Sequence, residues 1–255
     1  MFGLFKKKKQ PISFEGLTHI QADMHSHLLP GIDDGSQNME ESISMIRELV
    51  DMGYKKLITT PHIMNDFYKN TPEIVLGKLE DVRAELIKQN IDVELGAAAE
   101  YYLDEGLLSK LENKEKLLTF GDNYLLFETS YMNESQQLDA AVFMMQSQGY
   151  KPVMAHPERY VYLFGKFEKL QKIYDRGVLL QVNINSLTGY YSKPSKMMAE
   201  ELVEKGMVSF VGSDCHRDKH LEVLKEARKT RAYHSLLTQN CLLNNQLVGQ
   251  VATAV

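Results

Sequence analysis

Apolar positions along this chain fall into two alternating rhythms. One is helical. Ile43, Ile46, Leu49 and Val50 form a stripe spaced three and four residues apart, and Ile74, Val75, Leu79, Val82 and Leu86 form another. The second stripe opens at Thr71-Pro72-Glu73, a capping residue followed by proline in the first helical turn. Leu138, Val142 and Met145, and later Leu202 and Val203, repeat the theme. The other rhythm is of short apolar runs, which predict strands at residues 17–22, 56–60, 91–99, 124–128, 152–155, 178–182 and 207–211. Four times a helical pattern stops at glycine (Gly53, Gly149, Gly177, Gly206) and a strand follows within a few residues, as expected where glycine supplies a left-handed helix cap. About seven strands alternating with helices, at roughly thirty-residue spacing, indicate a parallel α/β structure. In a chain of 255 residues this suggests a closed or nearly closed barrel, with a doubly wound sheet as the alternative.

Composition narrows the class. An apolar content of 44% supplies a core, and 25% charged residues suit a soluble protein. The net charge of −5 argues against a broad nucleic-acid surface. Cys215 and Cys241 form no disulfide framework and point to a reducing compartment. No apolar run approaches the ~20 residues of a membrane span. At the N-terminus the charges of Lys6, Lys7, Lys8 and Lys9 follow the apolar residues, the reverse of a secretory signal. Residues 1–16 therefore read as a flexible basic tail, residues 17–255 as a single domain, and the protein as cytoplasmic. The segment 110–123 fits neither rhythm clearly, and residues 221–255 read as helix that then frays.

In a parallel barrel, functional groups collect where strands end. The first predicted strand runs out into His25-Ser26-His27, whose histidines share a face, followed by Asp33 and Asp34. The second ends at His62, the third at Glu100, the fourth at Glu128, the fifth at His156-Pro157-Glu158-Arg159, the sixth at Gln181-Val182-Asn183, and the seventh at Asp214-Cys215-His216. Five of the eight histidines lie at these exits. Glu100 and Glu128 follow apolar runs, where an unpaired carboxylate is costly to bury. A shared metal cluster removes that cost. Imidazole and carboxylate without thiolate suit Mn²⁺, Fe²⁺ or Zn²⁺. Cys215, between two candidate ligands, would point away from both and reads as a core residue. His19, His220 and His234 lie off the strand ends and read as ordinary polar residues. Glu15, Asp23 and Glu41 are candidates to support ligands from behind.

The motifs His-Ser-His-x5-Asp-Asp-Gly, Thr-x-His, Gly-Ala-x-x-Glu-Tyr-Tyr, Ala-His-x-Glu-Arg-Tyr, Gln-Val-Asn and Ser-Asp-x-His occur in this order. The chain thereby resembles the polymerase and histidinol phosphatase (PHP) superfamily, and within it the bacterial CpsB/CapC-like protein-tyrosine phosphatases of capsule and exopolysaccharide regulation. The resemblance covers residues from about 20 to 216. It implies a distorted (β/α)7 TIM-like barrel with three metal ions, commonly manganese, at its C-terminal mouth. It also implies a set of ligands. One ion would take His25, His27, Glu100 and Asp214; a second would share Glu100 and take His156 and Glu128; the third would take Asp34, His62 and His216. Between Asp33 and Asp34 the sequence itself leaves the choice open, and the resemblance favours Asp34. The implied partner is the tyrosine-rich tail of an autophosphorylating kinase.

A metal cluster without a motif-placed nucleophilic Cys or Ser points to hydrolysis by metal-bound hydroxide, and the resemblance implies that the substrate is a phosphomonoester. Arg159, three residues past His156, is placed to meet phosphoryl oxygens, unless it serves a salt bridge with Glu158 or a neighbour. A small-molecule phosphatase of the histidinol-phosphate type, a nuclease of the same superfamily, and a metal-binding scaffold without turnover are the competing readings.

Overall fold

The computed structural model describes residues 19–249, so the lysines at 6–9 and Glu15 lie outside the described residues. The chain runs β1 (Ala22–Asp23), α1 (Met39–Asp51), β2 (Lys56–Thr59), β3 (His62–Ile63), α2 (Pro72–Lys88), β4 (Glu94–Ala97), β5 (Glu100–Tyr102) and α3 (Glu105–Glu112). It continues with β6 (Tyr124–Glu128), α4 (Leu138–Ser147), β7 (Lys151–Ala155), α5 (Phe167–Asp175), β8 (Leu179–Asn183), α6 (Lys193–Glu204), β9 (Val208–Gly212), α7 (Asp218–Ala227) and α8 (Arg231–Gln239). All strand pairings within the two sheets are parallel, in the orders β1-β2-β4 and β3-β5-β6-β7-β8-β9. The alternating pattern is thus an α/β fold with parallel sheets. Among the described residues no helix is long and apolar enough to cross a membrane.

Local chemistry explains the elements. Thr71 accepts from the Ile74 amide and Pro72 stands in the first turn of α2. Gly53, Gly149, Gly177 and Gly206 all take positive φ, so the repeated glycine stop is a left-handed cap each time. The segment that fitted neither rhythm contains the end of α3, capped by Asp104, whose carboxylate accepts from the Leu107 amide at 3.0 Å. The described part of the C-terminal stretch, up to residue 249, continues past α7, and residues 250–255 lie outside the described residues. Thr230 caps α8, and a 3₁₀ turn at Asn244–Leu247 follows.

Two expected strands are each split in two. Pro61 has no amide to give to a ladder, and the chain shifts there between β2 and β3. Ala98-Ala99 marks the matching break between β4 and β5. The Glu100 amide still reaches the Pro61 carbonyl at 3.1 Å, so both breaks step in parallel. His62 and Glu100, which follow the breaks, are paired in register.

The first strand is shorter than expected, and residues 25–27 lie just beyond it. Their backbone is pinned on both sides. The Thr60 amide donates to the Ser26 carbonyl at 2.7 Å, and the His27 amide to the Cys215 carbonyl at 2.9 Å. Below this point side chains join β1 to β9. The Asn244 amide spans Ala22 and Val211, and Asp23 accepts from the amide and hydroxyl of Ser213. Asp23 therefore supports the exit of β9 at one remove and touches no imidazole directly. Glu41 is an exposed residue of the α1 start, bonded to Gln37 and Asn38, and supports no candidate ligand.

Met24, Ile58, Ala98, Leu126, Val153, Ala155 and Phe210 form an inner apolar layer beneath the strand exits. A larger core packs the helices outside the strands. Polar groups at the exits thus rest on a dry, close-packed floor, which limits their freedom to move.

Candidate metal centre

The strand exits converge. Glu100 is fully buried, with one oxygen 3.1 Å from His25 Nε2, 3.4 Å from His27 Nε2 and 3.2 Å from His62 Nδ1. Its other oxygen lies 2.9 Å from His156 Nε2. Asp214 Oδ1 faces His25, His27 and His216 at 3.5, 3.6 and 3.4 Å. Glu128 lies 3.2 Å from His62 Nδ1. Asp34 lies 3.5 Å from His62 Nε2 and 3.4 Å from His216 Nε2. Every residue of the implied ligand set is therefore in one cluster.

The two neighbouring acids divide their tasks. Asp34 faces His62 and His216, whereas Asp33 stands behind His27. Asp33 Oδ2 lies 2.8 Å from His27 Nδ1 and accepts from the His62 amide, and Oδ1 accepts from the Gly35 amide. A carboxylate behind an imidazole fixes the ring and raises its basicity.

Burial and charge oppose one another throughout. Burial alone would raise the Glu100 carboxyl, but His25 and His62 hold it well below the ordinary range. Asp214, equally buried, is held low by His216 and His25. Burial disfavours the charged form of His62, yet Glu100 and Glu128 bring it up to about 9. His27 rises well above its usual value against burial because of Asp33. Carboxylates that attract protons to imidazoles in this way also attract a metal cation, which competes for the same lone pairs. His62 Nδ1 is buried and makes no hydrogen bond, although two carboxylates lie 3.2 Å away. That contact suits an ion shared between donors better than a shared proton.

Three sets of donor atoms are close enough to hold ions: His27, Asp34, His62 and His216; His25, His27 and Glu100; His62, Glu100 and Glu128. The sets overlap at His27, His62 and Glu100, so the cluster can bind metal. The grouping differs in detail from the implied one, because His62 stands beside Glu128 as well as beside Asp34. Two members, His156 and Asp214, have left-handed backbones with φ of 32° and 48°.

A cavity of 420 Å³ opens over the cluster. Its walls include residues the sequence reading did not assign to the site: Met64, Tyr131, Tyr190, Tyr191, Arg217 and His220. The reading of His220 as an ordinary polar residue needs correction. It is buried in the first turn of α7, and its Nδ1 lies 2.9 Å from the Asp214 carbonyl and 3.2 Å from the His216 amide nitrogen. The available signal was its closeness in sequence to His216, four residues earlier and just ahead of α7. His19 and His234 do not line the cavity. Cys215 is fully buried, as expected of a core residue.

Arg159 lies between two aromatic rings, 4.9 Å from the centroid of Tyr131 and 4.2 Å from that of Tyr191. Its Nη1 donates to Asp214 Oδ2 at 2.7 Å. Glu158 is not its partner. That carboxylate is buried beneath, accepting from Ser186 Oγ and the Asn183 amide.

A parallel α/β fold that gathers histidines and carboxylates at its strand exits beneath an open cavity defines a metal-binding α/β enzyme. The chain belongs to the CpsB/CapC family of capsular polysaccharide synthesis, which it matches over residues 21–253. It is 32% identical over 198 residues to the tyrosine-protein phosphatase YwqE of Bacillus subtilis (strain 168), covering 77% of this chain and 78% of the relative. It is 26% identical over 230 residues to the putative tyrosine-protein phosphatase CapC of Staphylococcus aureus, covering 89% and 90%. A solved structure from work on YwqE of Bacillus subtilis and CpsB of Streptococcus pneumoniae, described as unique metal-dependent tyrosine phosphatases, superposes with a TM-score of 0.77. It has 29% identity over 89% of this chain and 94% of that one.

Proposed function

We propose that this chain is a metal-dependent protein-tyrosine phosphatase that acts in the cytoplasm on a phosphotyrosine protein of capsule or exopolysaccharide synthesis. The observation that carries the reading is the convergence of five histidines and four carboxylates in one cluster, seven of them lining an open cavity, in a chain whose relatives are named tyrosine-protein phosphatases. In this reading His25, His27, Asp34, His62, Glu100, Glu128, His156, Asp214 and His216 hold three divalent ions, manganese first among the candidates. The tyrosine-rich tail of an autophosphorylating kinase is the proposed substrate. The scaffold is read as a distorted (β/α)7 barrel. The pinning of residues 25–27 to both Thr60 and Cys215 supports closure, and joining β2 to β3 and β4 to β5 leaves seven strands.

When bound, the ions would lower the pKa of water toward neutrality and neutralise charge growing on the phosphoryl oxygens. The chain's own residues supply orientation. Glu100 and Asp214 hold the imidazoles together from two sides, and Asp33 fixes the His27 ring. Arg159, clamped by Tyr131 and Tyr191, presents a planar guanidinium at the cavity wall. A tyrosine leaving group has a parent phenol pKa near ~10 and needs little help from a general acid.

Two measurements test this. With manganese supplied, kcat/KM on a phosphotyrosine peptide is expected to exceed that on histidinol phosphate by about a hundredfold or more, the scale on which a built site discriminates. A preference for histidinol phosphate would place the substrate among small molecules. Arg159→Lys is expected to lower kcat by about ten- to a thousandfold, since lysine cannot give paired donors to a phosphoryl group. Metal stoichiometry and melting temperature should stay near the parent's. If both fell together, Arg159 would be serving Asp214 as a structural partner.

A further inference from the structure

The Gln-Val-Asn stretch at the end of β8 has no place in the set of donors above, yet it touches that set from behind. Gln181 is fully buried. Its Oε1 lies 2.8 Å from His25 Nδ1 and 3.2 Å from the His156 amide nitrogen. Its Nε2 donates to Asn183 Oδ1 at 2.9 Å, and Asn183 Nδ2 donates to Asp214 Oδ2 at 2.6 Å. The direction of this chain is fixed at both ends. A backbone amide only donates, so the Gln181 atom facing His156 must be the oxygen. A carboxylate held ionised only accepts, so the Asn183 atom facing Asp214 must be the nitrogen. Reversing either amide would place two donors or two acceptors together. His25 must therefore donate from Nδ1, which in the neutral ring leaves Nε2 as the free lone pair on the side of Glu100 and Asp214. There is no spare room either. A Cβ on Gly212 would lie 2.6 Å from the His25 Cβ and 3.0 Å from Gln181 Nε2.

We propose that Gln181 is a positioning residue of the metal centre. It selects the His25 tautomer that offers Nε2 to the ion and, through Asn183, aims Asp214 at the same place. This rests on the reading of His25 and Asp214 as ligands.

The test is metal affinity, by competition with a chelating dye, together with the metal-induced rise in melting temperature. Gln181→Leu removes every bond that Gln181 makes and is expected to weaken metal binding by about ten- to a hundredfold, as removal of a partner behind a ligand typically does. Gln181→Glu still accepts from His25 and the His156 amide but cannot donate to Asn183, so it should recover part of the loss. Leucine and glutamate variants that are equally weak, or a leucine variant with parental affinity and only a lower metal-free melting temperature, would reduce Gln181 to packing. Should the leucine variant fail to fold, nitrogen shifts of the zinc-loaded parent decide. A proton on His25 Nδ1 is expected, and a proton on Nε2 overturns the assignment. A parent protein that binds no divalent ion would instead remove the ligand reading, and this proposal with it.

Discussion

Chelation should bring hydrolysis of phosphotyrosine to background, whereas Cys215→Ser should leave the rate within a few-fold of the parent. Loss of the ions removes several kcal/mol of transition-state stabilisation, which is about a thousandfold in rate or more. The thiol has no comparable role. Cys215 sits between Asp214 and His216 in sequence, but its side chain turns the other way, with Sγ 3.6 Å from Met45 Sδ in the core. Burial pushes the thiol well above its ordinary pKa, with the charge of Asp23 adding to the effect. A nucleophilic cysteine needs the opposite, a lowered pKa and access to solvent. Cys241 is exposed and does not line the cavity, so iodoacetamide should label it without loss of rate. Inactivation by Cys215→Ser as complete as that by chelation would defeat the metal mechanism.

Glu100→Gln should cost both metal and rate. One carboxylate here touches four imidazoles: His25, His27, His62 and His156. The amide keeps the shape but removes the charge, and its nitrogen can only donate toward ring nitrogens that must themselves stay free for metal. Elemental analysis should show at least one ion fewer per chain, and kcat should fall by about a hundredfold or more. Full metal occupancy with near-normal turnover would mean that Glu100 does not bridge the cluster.

The positions of these residues were legible because of two regularities. Short apolar runs ending in polar residues mark their own exits, and so His62, Glu100, Glu128, His156 and Asp214 are placed at one end of the fold by the sequence. The four glycine stops marked where four of the strands began. What was hidden depends on register and on loops. Gln181 was visible as part of a motif, but its contact with His25 spans 156 residues, and no local pattern encodes it. Tyr131 and Tyr191 lie in loops past Glu128 and Asn183, where nothing in the spacing says which side faces the cavity. The strand breaks at Pro61 and Ala98-Ala99 show the same limit. Proline, which lacks an amide, carries a sequence signal for the first, but an alanine pair inside an apolar run carries none for the second.

His156 and Asp214 hold left-handed backbones, a conformation that costs a side-chain-bearing residue about 1–2 kcal/mol. Glycine at either place would relax the chain while deleting a donor to the cluster. The loss would not stop there, since His156 is bonded to Glu100 and Asp214 to Arg159 and Asn183, and a buried charge left without its partner costs more than the strain released. Strain and ligation are carried by the same two residues, so relief of the one forfeits the other.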